Sequence, residues 1–427
     1  MADSLPSFQN ACYLIEFKRE MRSLVRYEPK DYNISNELQY LIINSFPDKI
    51  SDSSSIFSFT TMTHICYAYN FIYHSEPFSI VIVTPLACPH LFLSFLRDIR
   101  NSIESNENMP GANHFPEIDP DVRLTLIWST LQSWHFTSLH SAAITFSGKP
   151  FNVIFNLKLQ NYGHFSPFNF FRPDTDFVYI SRSLLMGHRI LILKNNSTPE
   201  DMTTATYGIA SLTGAFPYRE KMFLCQNDSD PRFGDRKTLD DYKLFCLPSM
   251  PPSFTSDDFD AVLEIEKNDV DFSPIQAQIT TRTNKLYSII SFLLKRNLSI
   301  DPYSDFLERD YDDSDLEKLI TEKTMQLALN IEQLREFRNS RTFTFWRRAT
   351  VIREDFRDIF LSTPPETALS DKNDAELKQC LIFLDTLKRE YSEDVHMLSV
   401  VKRHKKLINQ ILKGDRSVLM KNIQKNT

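Results

Sequence analysis

Short apolar runs alternate with helical runs between residues 176 and 225, and this alternation constrains the fold more than any other feature of the chain. The run DFVYISRSLLM has the apolar spacing of a helix, RILIL is apolar apart from its first residue, residues 200–212 have helical spacing again, and MFLCQ is a second apolar run. Strands that are apolar on both faces are typical of a parallel sheet that helices cover on both sides. The order therefore predicts a central α/β unit with a mostly parallel sheet, in which Thr198 and Pro199 begin the second helix.

The first hundred residues have a different pattern, in which β-branched and aromatic residues dominate short runs. Five of these runs predict five strands: CYLIEF, RSLVRY, IFSF, HICYAYNFIY and FSIVIVT. A helix over residues 89–103 is expected to cover them, which makes residues 1–104 a small α+β domain. Residues 78–96 carry no formal charge, but two prolines interrupt them and would leave backbone groups unsatisfied in lipid. A buried strand followed by a helix is therefore expected there in place of a membrane span.

The rest of the chain divides by composition. SNENMPGANHFPEIDP is polar and rich in Pro and Asn, which indicates a linker. The runs AAITF and FNVIFNL add strands to the central unit, and four amphipathic stripes after residue 275 indicate helices, the last of which ends at Gly414. The expected fold class is therefore α/β and α+β, and the expected units are a domain at 1–104, a linker at 105–121, a central α/β core at 122–272 and a helical region at 273–427.

Composition and motifs exclude several classes of function. Only 8 of the 427 residues are glycine, which argues against a glycine-rich phosphate cradle, and the net charge of -7 argues against nucleic acid as a partner. The motifs GxxxxGK[ST], GxSxG, HExxH and CxxC are missing, so the sequence implies no covalent catalysis, no metal site and no cofactor. Six separated cysteines and a polar start, MADSLPSFQN, are typical of a reduced protein of the cytoplasm.

Several segments resemble the DENN-domain proteins. CYLIEFKREMRSLVRYEP followed by INSFPDKISDSSSIFSF is similar to that family's N-terminal longin module, where a strand pair leads to a helix and then to an SFPD-type turn. SRSLLMGHRILILKNNSTPEDMTTATYGIASLTGAFPYREKMFLCQNDSDPRF resembles the central DENN core, in which residues 185–201 would be scaffold. FTFWRR in the helical tail resembles the short DENN proteins that act as Rab exchange factors in endosomal recycling. The resemblance covers most of the chain, with gaps around 105–145 and 235–275.

The resemblance implies a guanine-nucleotide exchange factor for a Rab-family small GTPase, which would lie in the cleft between the longin module and the core. An acidic residue near that cleft would compete for the P-loop lysine of the GTPase or repel phosphate and Mg²⁺. Two competing interpretations assign these segments no contact with a GTPase. Residues 217–218 would form a plain turn with a packed ring, and residues 228–230 would form a solvated, Asx-capped loop. The candidate GTPase-binding residues are Phe46, Pro47 and Asp48 in the longin module and Pro217, Tyr218, Asp228 and Asp230 in the core.

Two other roles fit the same resemblance. A GTPase-activating partner would supply an arginine finger, for which Arg97 on the helix that closes the longin module is the candidate. A scaffold or effector would bind the active GTPase without changing its nucleotide. The basic stretch at 337–357 fits either a solvated helix face or an acidic protein or anionic lipid surface, and lipid contact would recruit the cytoplasmic protein to endosomal membranes. Its candidate contact residues are Arg338, Arg341, Arg347 and Arg348.

Overall fold

The computed structural model describes residues 10–30, 32, 34–47, 54–107, 118–138, 141–146, 149–154, 162, 165–214, 216, 218–269, 271, 273–284, 333, 336–337, 339–344, 361, 365–369, 372–390 and 395–414. The central part of the expected helical region, which carries two of its four apolar stripes, therefore lies largely outside the described residues.

The N-terminal part is a five-stranded antiparallel sheet with strand order β2-β1-β5-β4-β3. All five predicted strands are present, and the helix before the SFPD turn is present as well. The elements in chain order are β1 (Ala11–Lys18), β2 (Met21–Glu28), α1 (Leu38–Asn44), β3 (Ser55–Thr60), β4 (Ile65–Tyr73), β5 (Glu76–Thr84), α2 (Pro89–Glu107) and α3 (Pro120–Ser133).

The two faces of this sheet have separate cores because alternate residues of a strand point in opposite directions. Tyr13 and Ile15 belong to the core that includes Leu41 of α1, whereas Cys12 and Leu14 belong to the core that includes residues of α2 and α3. Helix α3 is fixed to the sheet by Arg123, which donates from Nη1 to the hydroxyl of Tyr69 at 3.0 Å. The expected boundary at residue 122 therefore falls inside a helix that packs on the N-terminal sheet.

The central part contains a four-stranded sheet in which all strands are parallel, with order β10-β11-β9-β12. The expected parallel sheet is confirmed, although β6, β11 and β12 were not among the predicted strands. β6, β7 and β8 form a separate antiparallel sheet. The elements are β6 (His135–Ser138), β7 (Ser141–Phe146), β8 (Lys149–Ile154), α4 (Phe177–Met186), β9 (Ile190–Leu193), α5 (Pro199–Ser211), β10 (Lys221–Leu224), α6 (Arg236–Leu239), β11 (Tyr242–Leu247) and β12 (Ala261–Glu264).

Helix α5 lies between the two large sheets and begins as the sequence predicts. The Thr198 hydroxyl accepts from the backbone N–H of Asp201, the Asp201 carboxylate accepts in return from the N–H of Thr198, and Pro199 occupies the first turn. On one side of the helix, Gly208 meets the backbone of Pro167 so closely that an added Cβ would lie 2.7 Å from its nitrogen. The absence of a side chain at this position sets how closely the 165–170 segment approaches the helix.

Three helices near the C-terminus enclose a core of their own, formed by residues such as Leu377, Leu384, Val401 and Ile408. Gly414 follows the last helix at a φ of 96°, the conformation expected for a glycine that ends a helix. Among the helices of the described part of the chain, none combines the length and the apolar character needed to cross a membrane. These three helices are α7 (Pro365–Ala368), α8 (Asp374–Glu390) and α9 (Val395–Leu412).

Candidate functional site

The outer edge of strand β3 is closed by side chains of the central core. The backbone N–H of Ser58 donates to the hydroxyl of Thr203 at 2.9 Å, and the backbone C=O of Ser58 accepts from Nε2 of Gln226 at 3.0 Å. Two residues further along β3, the hydroxyl of Thr60 accepts from the N–H of Leu224 at 3.1 Å. An exposed edge strand would leave these backbone groups open to other chains, so the contacts both protect the edge and join the two sheets.

Asn44, the last residue of α1, is the centre of a second set of contacts across the junction. Its amide nitrogen donates to Oδ2 of Asp230 at 2.6 Å and to the C=O of Tyr40 at 3.0 Å. Its amide oxygen accepts from the N–H of Gln226 at 2.9 Å and from the thiol of Cys225 at 3.1 Å. The side chain of Asn44 is fully buried, and both its amide nitrogen and its amide oxygen are hydrogen-bonded. This single side chain therefore connects α1 to the loop after β10.

Asp230 forms a buried ion pair with Arg232 at the same place. Nη2 and Nε of Arg232 lie 2.6 and 2.9 Å from the two carboxylate oxygens, and both side chains are 0% exposed. The guanidinium also stacks on Phe223, 4.2 Å from the ring centre, and on Tyr40 at 5.0 Å. Burial alone would lower the pKa of Arg232, but the paired carboxylate outweighs it and raises this pKa above its ordinary value. The buried guanidinium of Arg232 is therefore charged.

Glu37, just before α1, fixes the turn between β3 and β4. Its carboxylate accepts from the hydroxyl of Thr61, from the backbone N–H groups of Met62 and Thr63 at 3.1 and 3.2 Å, and lies 3.3 Å from Nδ1 of His64. Partial burial opposes ionisation, but the hydrogen bonds from His64, Thr61 and Thr63 outweigh it and lower the pKa of Glu37 to about 2. Met62 and Thr63 remain exposed, so this turn presents a fixed surface beside α1.

Glu37 and Arg232 act on the same buried thiol. Burial raises the pKa of Cys66 well above its ordinary value, the charge of Glu37 adds to this effect, and the charge of Arg232 opposes it. The guanidinium of Arg232 also lies 5.0 Å from the ring of Tyr40, on the helix that Glu37 precedes, so the Glu37 turn and the Asp230–Arg232 pair belong to one junction. We call it the α1 junction: residues 37–47 and 58–64 of the N-terminal part, and residues 203, 207 and 224–232 of the core.

Asp228 is the exposed acidic residue of the α1 junction. It follows β10, and its carboxylate accepts from the hydroxyl of Ser249, which follows β11, at 2.7 Å. Both residues thus lie at the carboxyl ends of parallel strands, the edge at which α/β proteins generally bind their ligands. The structure therefore offers a carboxylate at this edge, held in place by a hydroxyl and open to solvent.

The structure brings two of the predicted segments together. Residues 46–47 follow α1 after Ser45, and Asn44 at the end of α1 bonds to Asp230, so both predicted segments belong to the α1 junction. Phe46 is fully buried and lies 5.6 Å from the ring of Phe17, and Pro47 is buried as well. Asp48 lies outside the described residues. Of the predicted residues at this junction, Asp228 is therefore exposed, whereas Phe46, Pro47 and Asp230 contribute to its interior.

The other predicted residues lie elsewhere. Tyr218 precedes β10, at the opposite end of that strand from Asp228, and is 2% exposed within the main core, where burial raises the pKa of its hydroxyl well above the ordinary value. Its preceding residue, Pro217, lies outside the described residues. Arg97 on α2 is half-exposed and lies 3.5 Å from Glu200 of α5. Arg341 is exposed, and the predicted lipid-contact residues Arg338, Arg347 and Arg348 lie outside the described residues.

Three residues that hold the junction together were not among those predicted from the sequence: Asn44, Gln226 and Arg232. The sequence does contain one signal for Asn44, which is the polar residue at the end of the otherwise apolar run LIIN at positions 41–44. No comparable signal marks the other two residues. Gln226 bonds to Ser58, which is far away in the sequence, and Arg232 bonds to an acid in a loop whose composition is typical of a solvated surface.

No group of three or more His, Cys, Asp or Glu residues in the described ranges has an arrangement that could hold a metal ion. Models of known protein families give no match to the chain, and a search of curated proteins finds none that is similar to it.

Proposed function

We propose that this chain is a guanine-nucleotide exchange factor of the DENN type, which promotes GDP release from a Rab-family small GTPase. One observation carries the proposal: the α1 junction joins an antiparallel sheet domain to a parallel sheet core and leaves one fixed, exposed carboxylate, that of Asp228, beside it. This is the place where the resemblance to DENN proteins puts the GTPase. No covalent chemistry is needed for such a role, which agrees with a sequence that lacks reaction motifs.

The physical basis of exchange is differential binding. GDP and Mg²⁺ hold the switch loops of a GTPase in place, so a protein that binds the nucleotide-free form more tightly shifts the population toward GDP release. The shift can be no larger than the difference in affinity between the two forms. A surface fixed in advance loses less free energy on binding than a mobile one, and the buried bonds of Asn44, Asp230 and Gln226 fix this surface.

Asp228 is the residue expected to discriminate between the two forms. Its carboxylate would repel the phosphates of GDP and attract the P-loop lysine of a GTPase once the phosphates have left. The buried carboxylate of Asp230 would act indirectly, because it holds the 225–232 loop in position. The exposed turn at Met62 and Thr63 would supply contacts from the N-terminal domain. Contact of Arg341 with anionic lipid belongs to the same proposal and would place the chain near membrane-bound GTPase.

A GDP-release assay tests the proposal. Release of a fluorescent GDP analogue is followed from each member of a panel of purified Rab proteins, with and without the full chain. We expect faster release from at least one Rab, and Asp228→Arg to reduce the acceleration at least roughly tenfold, the factor that corresponds to one lost charge contact. Asp257→Arg is the matched control, because Asp257 is an exposed acid before β12, at the opposite edge of the same sheet. Equal loss with both variants, or no response from any Rab, would contradict the assignment.

A GTPase-activating role is the second candidate, and the exposure of Arg97 favours it. The side chain is 37% exposed, and its Nε lies 3.5 Å from the carboxylate of Glu200. An arginine finger accelerates GTP hydrolysis by stabilising the charge of the transition state. Acceleration of hydrolysis that Arg97→Lys abolishes, with GDP release unchanged, would favour this role over exchange.

A further inference from the structure

A short segment of the C-terminal region is folded onto the central core. Residues 336–344, all described except residue 338, contact residues that precede β10 and β11, at the amino end of the parallel sheet and opposite to Asp228. We call residues 336–344 the strap. The ring of Phe337 lies 5.0 Å from that of Phe216 and 5.1 Å from that of Phe343, and Phe337 and Phe343 are only 1% and 6% exposed. The aromatic side chains of the strap are therefore part of the protein interior.

Two reciprocal hydrogen bonds and a charged contact hold the strap to the core, the latter between Glu336 and Nε2 of His188 at 3.2 Å. The backbone N–H of Arg219 donates to the hydroxyl of Thr342 at 3.1 Å, and the N–H of Thr342 donates to Oε1 of Glu220 at 3.1 Å. Glu220 is 7% exposed, and its carboxylate lies at the N-terminus of the helical turn at 341–344, where negative charge is favourable. Ser340 adds a bond within the strap, because its hydroxyl accepts from the N–H of Phe343 at 3.0 Å.

Arg341, one of the two arginines of the strap, points away from the core. Arg341 is 53% exposed, and its guanidinium lies 3.9 Å from the carboxylate of Asp241, which is 64% exposed. Asp241 also accepts from Lys221 at 3.0 Å, so Arg341 shares an acid that already has a closer partner. A shared pair at a solvated surface contributes little to docking. Polar contacts and aromatic burial thus hold the strap, while the side chain of Arg341 remains exposed.

We propose that the strap docks reversibly and that its alternative binding site is a membrane surface rich in anionic lipid. Once released, the strap would present two phenylalanine rings and a net positive charge, because its two arginines outnumber Glu336. This is the chemistry of an interfacial anchor, in which the rings enter the headgroup region and the arginines attract anionic headgroups. The core and the membrane then compete for the same side chains, so docking keeps membrane contact low. This inference rests on the membrane contact proposed above for the basic stretch and does not depend on exchange activity.

Vesicle binding by the full chain tests the proposal. Binding to phosphatidylcholine vesicles with and without phosphatidylserine is measured by flotation for the wild type and for Glu220→Gln/Thr342→Val. This double variant removes the buried charge and the hydroxyl acceptor at almost unchanged size. We expect its affinity for the anionic vesicles to rise roughly tenfold, as expected when two hydrogen bonds that oppose release are weakened, with no rise on neutral vesicles. Thr344→Val is the matched control, since Thr344 is an exposed threonine of the same strap.

Hydrogen exchange of the strap amides separates the outcomes. We expect faster exchange at 339–344 in the double variant without lipid, and loss of the vesicle gain when Arg341→Glu is added. Faster exchange with unchanged vesicle affinity would overturn the competition, because the strap would be released and still not bind lipid. Unchanged exchange would also overturn it, because these contacts would then not hold the strap. The GDP-release assay contains no vesicles, so its result is independent of both outcomes.

Discussion

Removal of the Asp230 carboxylate is expected to open the α1 junction, because it leaves a buried guanidinium without its partner. Asp230 accepts two bonds from the Arg232 side chain, one from the Arg232 backbone and one from Asn44, and both charged side chains are 0% exposed. Breaking a buried ion pair by removing one member typically costs about 3–5 kcal/mol, mostly because the other charge stays buried. We therefore expect Asp230→Ala to lower the free energy of opening of the junction by about that amount.

Native-state hydrogen exchange measures this free energy at the junction itself. The amides of Ser58 and Gln226 report on it, since the first is bonded to Thr203 and the second to Asn44. A loss of 3–5 kcal/mol corresponds to a fall in protection of about two to three and a half orders of magnitude. The unfolding of the whole chain is a poorer measure, because a chain with several cores need not unfold in one step.

The double variant Asp230→Ala/Arg232→Met decides whether buried charge is the cause. It removes both charges and keeps an apolar side chain over Phe223, so its remaining cost is that of the hydrogen bonds lost by Asn44 and the loop, about 1–3 kcal/mol. The double variant should therefore protect Gln226 better than Asp230→Ala does. A fall in protection of less than about tenfold for Asp230→Ala, or a double variant worse than the single, would refute the reasoning.

Two further predictions concern stability. The pKa of Glu37 is lowered to about 2 from an ordinary 4.5, so the carboxylate stabilises the fold at neutral pH, and this contribution disappears as the pH falls from about 5 toward 2. The difference in melting temperature between the wild type and Glu37→Gln should therefore be larger at pH 7 than at pH 3.5. The extra difference should correspond to roughly 1–2 kcal/mol once solvent screening is allowed for. An equal difference at both pH values would count against the role of Glu37. Gly208→Ala should destabilise the fold by about 1–3 kcal/mol despite the better helix propensity of alanine, because the new Cβ would lie 2.7–2.9 Å from the backbone of residues 166 and 167. Gly234→Ala is its control in the same melting experiment, since nothing lies within 4 Å of a Cβ added there, and similar losses for both would contradict the packing argument.

Much of the local structure follows from the sequence alone. Apolar runs such as RILIL and FSIVIVT become strands, and the Thr198-Pro199 pair begins α5 because it satisfies the first backbone N–H groups of a helix. Strand β11 was not predicted, although YKLFCL is largely apolar, because it follows directly on the charged run DRKTLDD. Strand propensity depends on neighbouring residues in the sequence, whereas the order of strands in a sheet does not. β11 lies between β10 and β9, and this position depends on pairing with strands that are distant in the sequence.

The junction illustrates what a single sequence does not contain. Asn44 and Asp230 are 186 positions apart, so no spacing rule connects them. Asp230 belongs to an acidic loop, NDSDPRF, whose composition indicates a solvated surface, yet the carboxylate is buried because Arg232, two residues later, turns back to pair with it. Asp228, in the same loop, is exposed. The sequence named both acids of this loop as candidates, but their different burial depends on a pairing that only the folded chain reveals.

The affinity of the full chain for the three nucleotide states of one Rab protein tests the exchange assignment most directly. The account predicts that the nucleotide-free form binds more tightly than both the GDP-bound and the GTP-bound forms, and that Asp228→Arg reduces this preference while Asp257→Arg leaves it unchanged. Tightest binding to the GTP-bound form, unaffected by Asp228→Arg, would contradict the account and make the chain an effector.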